Sequence, residues 1–245
     1  MLLEGKSALI TGAANRLGAQ IARTLHQNGA NLIIHYRQSA DNAEALKRQL
    51  NDLRAKSASC LQADLNDLDA LNNLAHEAAQ LYHGLDFLIN NASSFYPTAI
   101  GKIIDKDWDD LVGSNFKAPL FLSQACYPHL REAGGVIINM LDIYASSPLK
   151  NHSLYCSAKA GNQMLVKSLA LEMAPQVRVN GIAPGAILWP ENDNAVQPEY
   201  QKKLLEKIPL KRTGSPESIA QTVMFLLTND YITGEIIKVD GGRLL

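Results

Sequence analysis

Asp142, Tyr155 and Lys159 are the residues of this chain best suited to moving a proton. Tyr155 follows Asp142 by thirteen residues and Lys159 follows Tyr155 by four, within Tyr155-Cys156-Ser157-Ala158-Lys159. With a helix opening near Ser153, Tyr155 and Lys159 share one face, about a turn apart. An ammonium beside a phenol favours phenolate, so the spacing predicts a tyrosine pKa lowered from its reference of about 10 toward the range of a working acid or base. Asp142 would come from the end of the apolar run Gly135 to Met140, so a strand and the next helix deliver three polar groups to one place. A tyrosine and a lysine four apart are also common on surface helices. What sets this pair apart is a nucleotide signature upstream.

That signature begins with the short apolar run Ser7 to Ile10, followed by Thr11-Gly12-Ala13-Ala14-Asn15-Arg16-Leu17-Gly18. Leu17, Ile21 and Leu25 then repeat at helical spacing until Gly29. In a strand, glycine turn and helix, backbone can approach a pyrophosphate and the helix N-terminus offers it free N–H groups. Gly12, Asn15, Arg16, Leu17 and Gly18 are the candidates for that contact. The spacing departs from G-x-G-x-x-G, and tight packing alone also calls for glycine.

A second buried run, Asn31 to Tyr36, contains His35 and leads into Arg37-Gln38-Ser39, where a carboxylate for the ribose 2′-OH is usual. Arginine and serine there suit a 2′-phosphate, which favours NADP(H); Arg37 as a solvated charge is the alternative. An amphipathic stretch (Ala43 to Leu53), a strand near Ala58 to Leu61 before Asp64-Leu65, and a helix from Asp67 to Leu81 follow. The fourth buried run, Leu85 to Ile89, ends in Asn90-Asn91-Ala92-Ser93-Ser94-Phe95-Tyr96. Alternating strands and helices imply right-handed crossovers and a parallel sheet, with ligands at the carboxyl ends of the strands. Asp64, Asn91 and Ser93 fall at such ends; for Asp64, an adenine contact and an Asx turn both stay open.

The 23 basic and 24 acidic residues are nearly balanced, which gives no support to nucleic acid or an anionic membrane as partner. Cys60, Cys126 and Cys156 lie far apart and the histidines show no paired ligand spacing, so free thiols and no metal site are expected. Neither an export pattern at the N-terminus nor an apolar run near the ~18 residues of a membrane span is evident, so a soluble cytoplasmic protein is expected. No repeat or linker marks a boundary in the 245 residues, which reads as one domain.

In the second half, a long helical pattern spans Asp105 to Leu130, with Asp105 as cap, Trp108, Leu111 and Phe116 on one side, and bends at Gly113 and Pro119. The helix carrying Tyr155 runs to about Met173, and Arg178 to Ile182 forms a sixth strand before Pro184-Gly185-Ala186-Ile187. Residues 188–207, polar and proline-bearing, are placed as a lid containing Leu188 and Trp189. Trp189 would close over an aromatic ligand or make a subunit contact. Ser215 caps the last helix with Pro216 at its first position, and Ile236 to Val239 is the final strand. The Leu244-Leu245 tail is apolar enough for an interface.

The ordered set Thr11-Gly12 to Gly18, Asn90-Asn91-Ala92, Asn115, Tyr155 to Lys159 and Pro184-Gly185 resembles the short-chain dehydrogenase/reductases over nearly the whole length. That resemblance implies a doubly wound Rossmann-like α/β domain, with a mostly or wholly parallel sheet of about seven strands. It also implies a nicotinamide cofactor reaching Met140, Pro184, Gly185 and Ile187, Tyr155 as proton donor, Lys159 on the ribose, and assembly as a homotetramer. Asn115 would belong to the proton relay, a bend aiming its backbone carbonyl at a water near Lys159.

Two departures narrow the likeness. Asp142 stands where the family commonly has serine, and Arg16 where it commonly has glycine. With His35 to Ser39 and Asn90 to Thr98, they resemble the pteridine reductases, although those often place the phosphate-binding arginine at the position of Gln38. That likeness implies NADPH and a pterin or folate substrate, with Phe95 stacking on its ring opposite the nicotinamide. Arg16 would reach the pyrophosphate or a pterin carbonyl, and Ser93 the pterin or the phosphate. The chemistry agrees, because reducing a ring C=N needs a proton on nitrogen, which an acid–tyrosine pair can relay. A carbonyl reductase and a non-catalytic NADP-binding sensor are the alternatives.

Overall fold

The continuous apolar runs are strands covered on both faces. The computed structural model describes residues 2–188 and 198–245. Its strands are β1 (Ser7–Ile10), β2 (Asn31–Tyr36), β3 (Ala58–Gln62), β4 (Phe87–Asn90), β5 (Val136–Met140), β6 (Arg178–Pro184) and β7 (Ile236–Val239). They form one seven-stranded sheet, ordered β3-β2-β1-β4-β5-β6-β7, in which every adjacent pair is parallel. The helices are α1 (Arg16–Gln27), α2 (Ala40–Leu53), α3 (Leu68–Gln80), α4 (Asp105–Val112), α5 (Ala118–Ala133), α6 (Ser153–Met173), α7 (Pro198–Glu206) and α8 (Pro216–Thr228).

Successive strand residues point to opposite faces, and here each face has its own core. Ile10, Ile34, Ile89 and Ile138 pack with Ile21 and Leu25 of α1 and Val223 of α8. Their neighbours Leu9, Ile33, Leu88 and Ile137 pack with Leu71 and Leu74 of α3, Leu122 of α5 and Val166 of α6. The strand order reverses between β1 and β4, which opens a crevice at the carboxyl ends of those two strands.

Asp67 caps α3 by accepting the N–H groups of Asp69 and Ala70, and Ser215 caps α8 through the N–H of Ser218. The expected helix from Asp105 to Leu130 is instead two α-helices joined by a π-helical segment, Gly113–Lys117. Gly113 begins that segment, and Pro119 sits in the first turn of α5, where its missing N–H costs nothing. Asp105 is the first residue of α4, not its cap; the N–H of Ile104 is met by Asp107 Oδ2 at 3.1 Å. Trp108 does not share the buried side with Leu111, because the residue is 57% exposed. Of the stretch expected to form a lid, α7 occupies 198–206, while Trp189 lies outside the described residues. Leu244 packs against the α3–α5–α6 core, whereas Leu245 is fully exposed. No helix among the described residues is long and apolar enough to cross a membrane.

Candidate active site

Above β1 and β4 lies a cavity of about 640 Å³. Its walls contain nearly every residue singled out from the sequence. Gly12, Asn15, Arg16, Leu17 and Gly18 line it from the first turn, His35 to Ser39 from the end of β2, and Asp64 and Leu65 from β3. Asn91, Ala92, Ser93 and Phe95 follow from β4, Met140 and Asp142 from β5, Tyr155 and Lys159 from α6, and Pro184, Gly185, Ile187 and Leu188 from β6. The walls also include Ser94 of the motif Asn90 to Thr98, and Asn66, Ser114 and Tyr144, which no motif marks.

The first turn is built for close approach. Gly12 sits at φ +61°, and a Cβ there would come within 3.1 Å of the Ala92 backbone. At Gly18 a Cβ would lie 2.5 Å from the Gly12 carbonyl oxygen and 2.7 Å from Asn91 Nδ2. Arg16 adopts φ 51°, a left-handed conformation that glycine takes freely and other residues only at a cost. The Asn91 amide donates to the carbonyls of Thr11 and Gly12 at 2.9 and 3.2 Å, so it ties the turn to β4. The N–H of Gly12 donates to His35 Nδ1 at 3.1 Å, and His35 Nε2 lies 3.1 Å from the Ala63 carbonyl. With Nδ1 accepting, the ring carries its proton on Nε2 and is neutral; burial pushes its pKa down to about 4. Thus one imidazole clamps the glycine turn to β2 and β3.

At the β2 end, the Arg37 guanidinium is 3.6 Å from Asp110 of α4, so it is paired and not simply a solvated charge. Asp64 forms the Asx turn, accepting the N–H of Asn66 at 3.0 Å, and still borders the cavity.

The far end holds the acid–base groups. Tyr155 Oη donates to Asp142 Oδ2 at 2.8 Å, and Asp142 Oδ1 accepts the N–H of Tyr144 at 2.9 Å. Burial raises the Asp142 pKa, opposed by these hydrogen bonds and by Lys159 and Arg243. Tyr155 departs from expectation: its pKa is raised well above that of a free phenol, first by burial and then by the Asp142 carboxylate. The ammonium of Lys159 lies 5.8 Å from the Tyr155 ring centroid and donates to the Met140 carbonyl at 2.8 Å. Lys159 is itself pushed down to about 8 by burial. Sequence spacing put lysine and tyrosine on one face; burial, and after it the neighbouring aspartate, sets the direction of the tyrosine shift. The pair is therefore a phenol donating to a carboxylate, not a phenolate.

Asn115 is fully buried and does not line the cavity. Its carbonyl accepts from Asn162 Nδ2 at 2.8 Å, which occupies one of the oxygen's two lone pairs. Its side chain accepts from Ser93 Oγ at 2.7 Å and donates to the Ser94 carbonyl at 2.8 Å, which fixes the loop after β4. Asn162 Oδ1 accepts from Asn139, and Asn139 Oδ1 from Asn90, at 2.7 and 2.8 Å. This buried asparagine chain locks α6, and with it Tyr155 and Lys159, to β4 and β5. Asn162 was invisible in the sequence because its partners lie on other elements.

Phe95 is 55% exposed, stacks on His152 with centroids 4.8 Å apart, and meets the Tyr155 ring edge-on at 4.8 Å. Behind Asp142, Arg243 Nη2 donates to Tyr144 Oη at 2.6 Å, so the chain's last turn backs onto the site. Neither His152 nor Arg243 carried a sequence signal.

The family profile described as Enoyl-(Acyl carrier protein) reductase matches residues 12–243. Pteridine reductase 1 of Leishmania tarentolae is 36% identical over 281 residues, covering 97% of this chain and 96% of that protein. A 3-oxoacyl-[acyl-carrier-protein] reductase FabG of Staphylococcus epidermidis is 34% identical over 246 residues, covering 98% and 99%. Together with the all-parallel sheet and the Tyr155–Lys159 pair beside a glycine turn, these likenesses place the chain in the short-chain dehydrogenase/reductase family, as an NAD(P)-dependent oxidoreductase.

Proposed function

We propose that this protein reduces a pteridine ring C=N with NADPH, converting a 7,8-dihydropterin to its tetrahydro form. The observation that carries the reading is the buried Tyr155–Asp142 hydrogen bond, 2.8 Å long, in a cavity also lined by Phe95. A ring nitrogen must gain a proton as hydride reaches carbon, and a phenol held by a carboxylate of raised pKa can give one and be recharged.

The cradle fits a dinucleotide. The crowded glycines and the α1 N-terminus suit the pyrophosphate, Arg37, Gln38 and Ser39 the 2′-phosphate, and Asp64 and Leu65 the adenine. Lys159 and Tyr155 would hold the ribose, and Pro184, Gly185 and Ile187 the carboxamide. When bound, the reduced nicotinamide supplies the hydride. Tyr155 releases its proton toward the substrate nitrogen and recovers one through Asp142, while Phe95, Arg16, Ser93 and Leu188 orient the flat ring. Asn115 would extend the proton relay from Lys159 through its backbone carbonyl, and its side chain also fixes Ser93.

The second reading is a carbonyl reductase acting on a 3-oxoacyl thioester or a sugar, which the likeness to FabG favours. Asp142 speaks for the pterin, since a ketone oxygen is served by a neutral hydroxyl. NADPH oxidation would be followed with dihydrobiopterin, dihydromonapterin, dihydrofolate, a 3-oxoacyl thioester and simple ketones, in wild type and Tyr155→Phe. Turnover of the pterins, lost by about 10²–10⁴-fold in the variant, is expected. Faster turnover of the thioester or ketones than of any pterin would overturn the pterin assignment, and an undiminished rate in Tyr155→Phe would place the acid elsewhere. Assembly as a homotetramer, which light scattering would read, belongs to the same proposal.

A further inference from the structure

The cofactor end of the cavity contains a feature that the pterin reading does not use. Arg37, at the place where a 2′-phosphate is proposed to sit, has its Nη1 3.6 Å from Asp110 Oδ1. Asp110 is not a swinging surface carboxylate. The same Oδ1 accepts Ser94 Oγ at 3.1 Å, and the Asp110 carbonyl accepts Ser114 Oγ at 2.6 Å. Ser114 in turn accepts the N–H of Ser94 at 3.2 Å. Both α4 and the loop after β4 therefore hold the carboxylate in position. Around it, Lys106, Asp107, Asp109, Asp64 and the Tyr96 phenol line an adjoining recess that Arg37 and Gln38 share. Acidic groups outnumber basic ones there, so the field around Arg37 opposes an incoming dianion.

We propose that Asp110 is a cofactor-specificity residue, which competes with the 2′-phosphate for Arg37 and so limits the preference for NADPH over NADH. This rests on the assignment of Arg37 to the 2′-phosphate above. A cofactor bearing that phosphate must draw the guanidinium off a fixed carboxylate and sit beside its charge. One lacking it leaves the Arg37–Asp110 pair intact. The same oxygen serves Arg37 and Ser94, so release of Arg37 leaves Asp110 to Ser94 and the Tyr96 phenol.

The test is a double-mutant cycle on the full chain, reading dissociation constants for NADPH, NADH and 2′,5′-ADP by titration calorimetry. Asp110→Asn removes the charge and keeps an oxygen for Ser94. It should tighten NADPH and 2′,5′-ADP by about two- to five-fold, the range for a partly exposed ion pair, and leave NADH within error. In an Arg37→Ala background the same substitution should lose most of that gain. NADPH affinity unchanged or weakened in Asp110→Asn, while Arg37→Ala still weakens NADPH selectively, would overturn this proposal alone. If Arg37→Ala weakens NADPH and NADH equally, the 2′-phosphate assignment fails and this proposal with it. Urea unfolding of each variant separates these results from misfolding, and Asp110→Ser, which keeps a hydroxyl for the loop, provides a second neutral variant.

Discussion

Arg16 offers a sharp test of the site's backbone. Its φ of 51° lies in the left-handed region, its side chain is exposed, and it opens α1 beside the proposed pyrophosphate cradle. A non-glycine residue there costs about 1–2 kcal/mol, whereas glycine, free of that strain, loses about 0.5–1 kcal/mol more conformational entropy on folding. Comparing Arg16→Gly with Arg16→Ala cancels the guanidinium, which both remove, and isolates the backbone. The glycine variant should be more stable than the alanine variant by about 0.5–1 kcal/mol, or about 1–4 °C in Tm for a chain of this size. At an ordinary helical position the order reverses, because alanine is favoured by about 1 kcal/mol. Paired urea and thermal unfolding would read the sign, and NADPH kinetics of both variants would read the function. Both should lose kcat/KM by similar factors, since each lacks the group proposed to reach pyrophosphate and pterin. An alanine variant as stable as the glycine variant, or more so, would refute the left-handed turn and the cradle geometry that depends on it.

Asp142→Ser should depress pterin turnover and raise ketone turnover, measured by NADPH oxidation; a parallel loss with both substrates would argue that Asp142 is structural. His35 is neutral when folded, with a pKa near 4 against 6.5 when unfolded, so the unfolded chain binds its proton more tightly. Its contribution, up to about 3 kcal/mol, is complete above pH 6.5 and is lost as pH falls toward 4, when protonated Nδ1 can no longer accept from Gly12. Urea unfolding across that window should show a steeper decline for wild type than for His35→Gln. Gly18→Ala would place a Cβ 2.5 Å from the Gly12 carbonyl and 2.8 Å from Ala13 Cα; because both are backbone, a loss of about 1–3 kcal/mol and weaker NADPH binding in titrations are expected.

Much was legible along the chain itself. Apolar runs of four to seven residues between helical repeats gave the parallel sheet, and glycine spacing located the turn at its centre, because period and turn chemistry are local properties. The same locality placed Tyr155 and Lys159 on one helical face. It could not show what surrounds them. The direction of the Tyr155 shift depends on burial and on Asp142, which is close only because β5 and α6 converge. Asn115 was marked by its place in an ordered motif, but its carbonyl partner, Asn162, lies 47 positions away. Tyr144 meets Arg243 across 99 positions, and Arg37 meets Asp110 from another element altogether. Residue order therefore determined the elements, the turn and the reactive groups, since each follows from neighbours within a few bonds or one helical turn. Only the folded chain decided which groups are desolvated, which charges are paired and which polar atoms are satisfied, because dielectric and through-space distance are properties of the assembled whole.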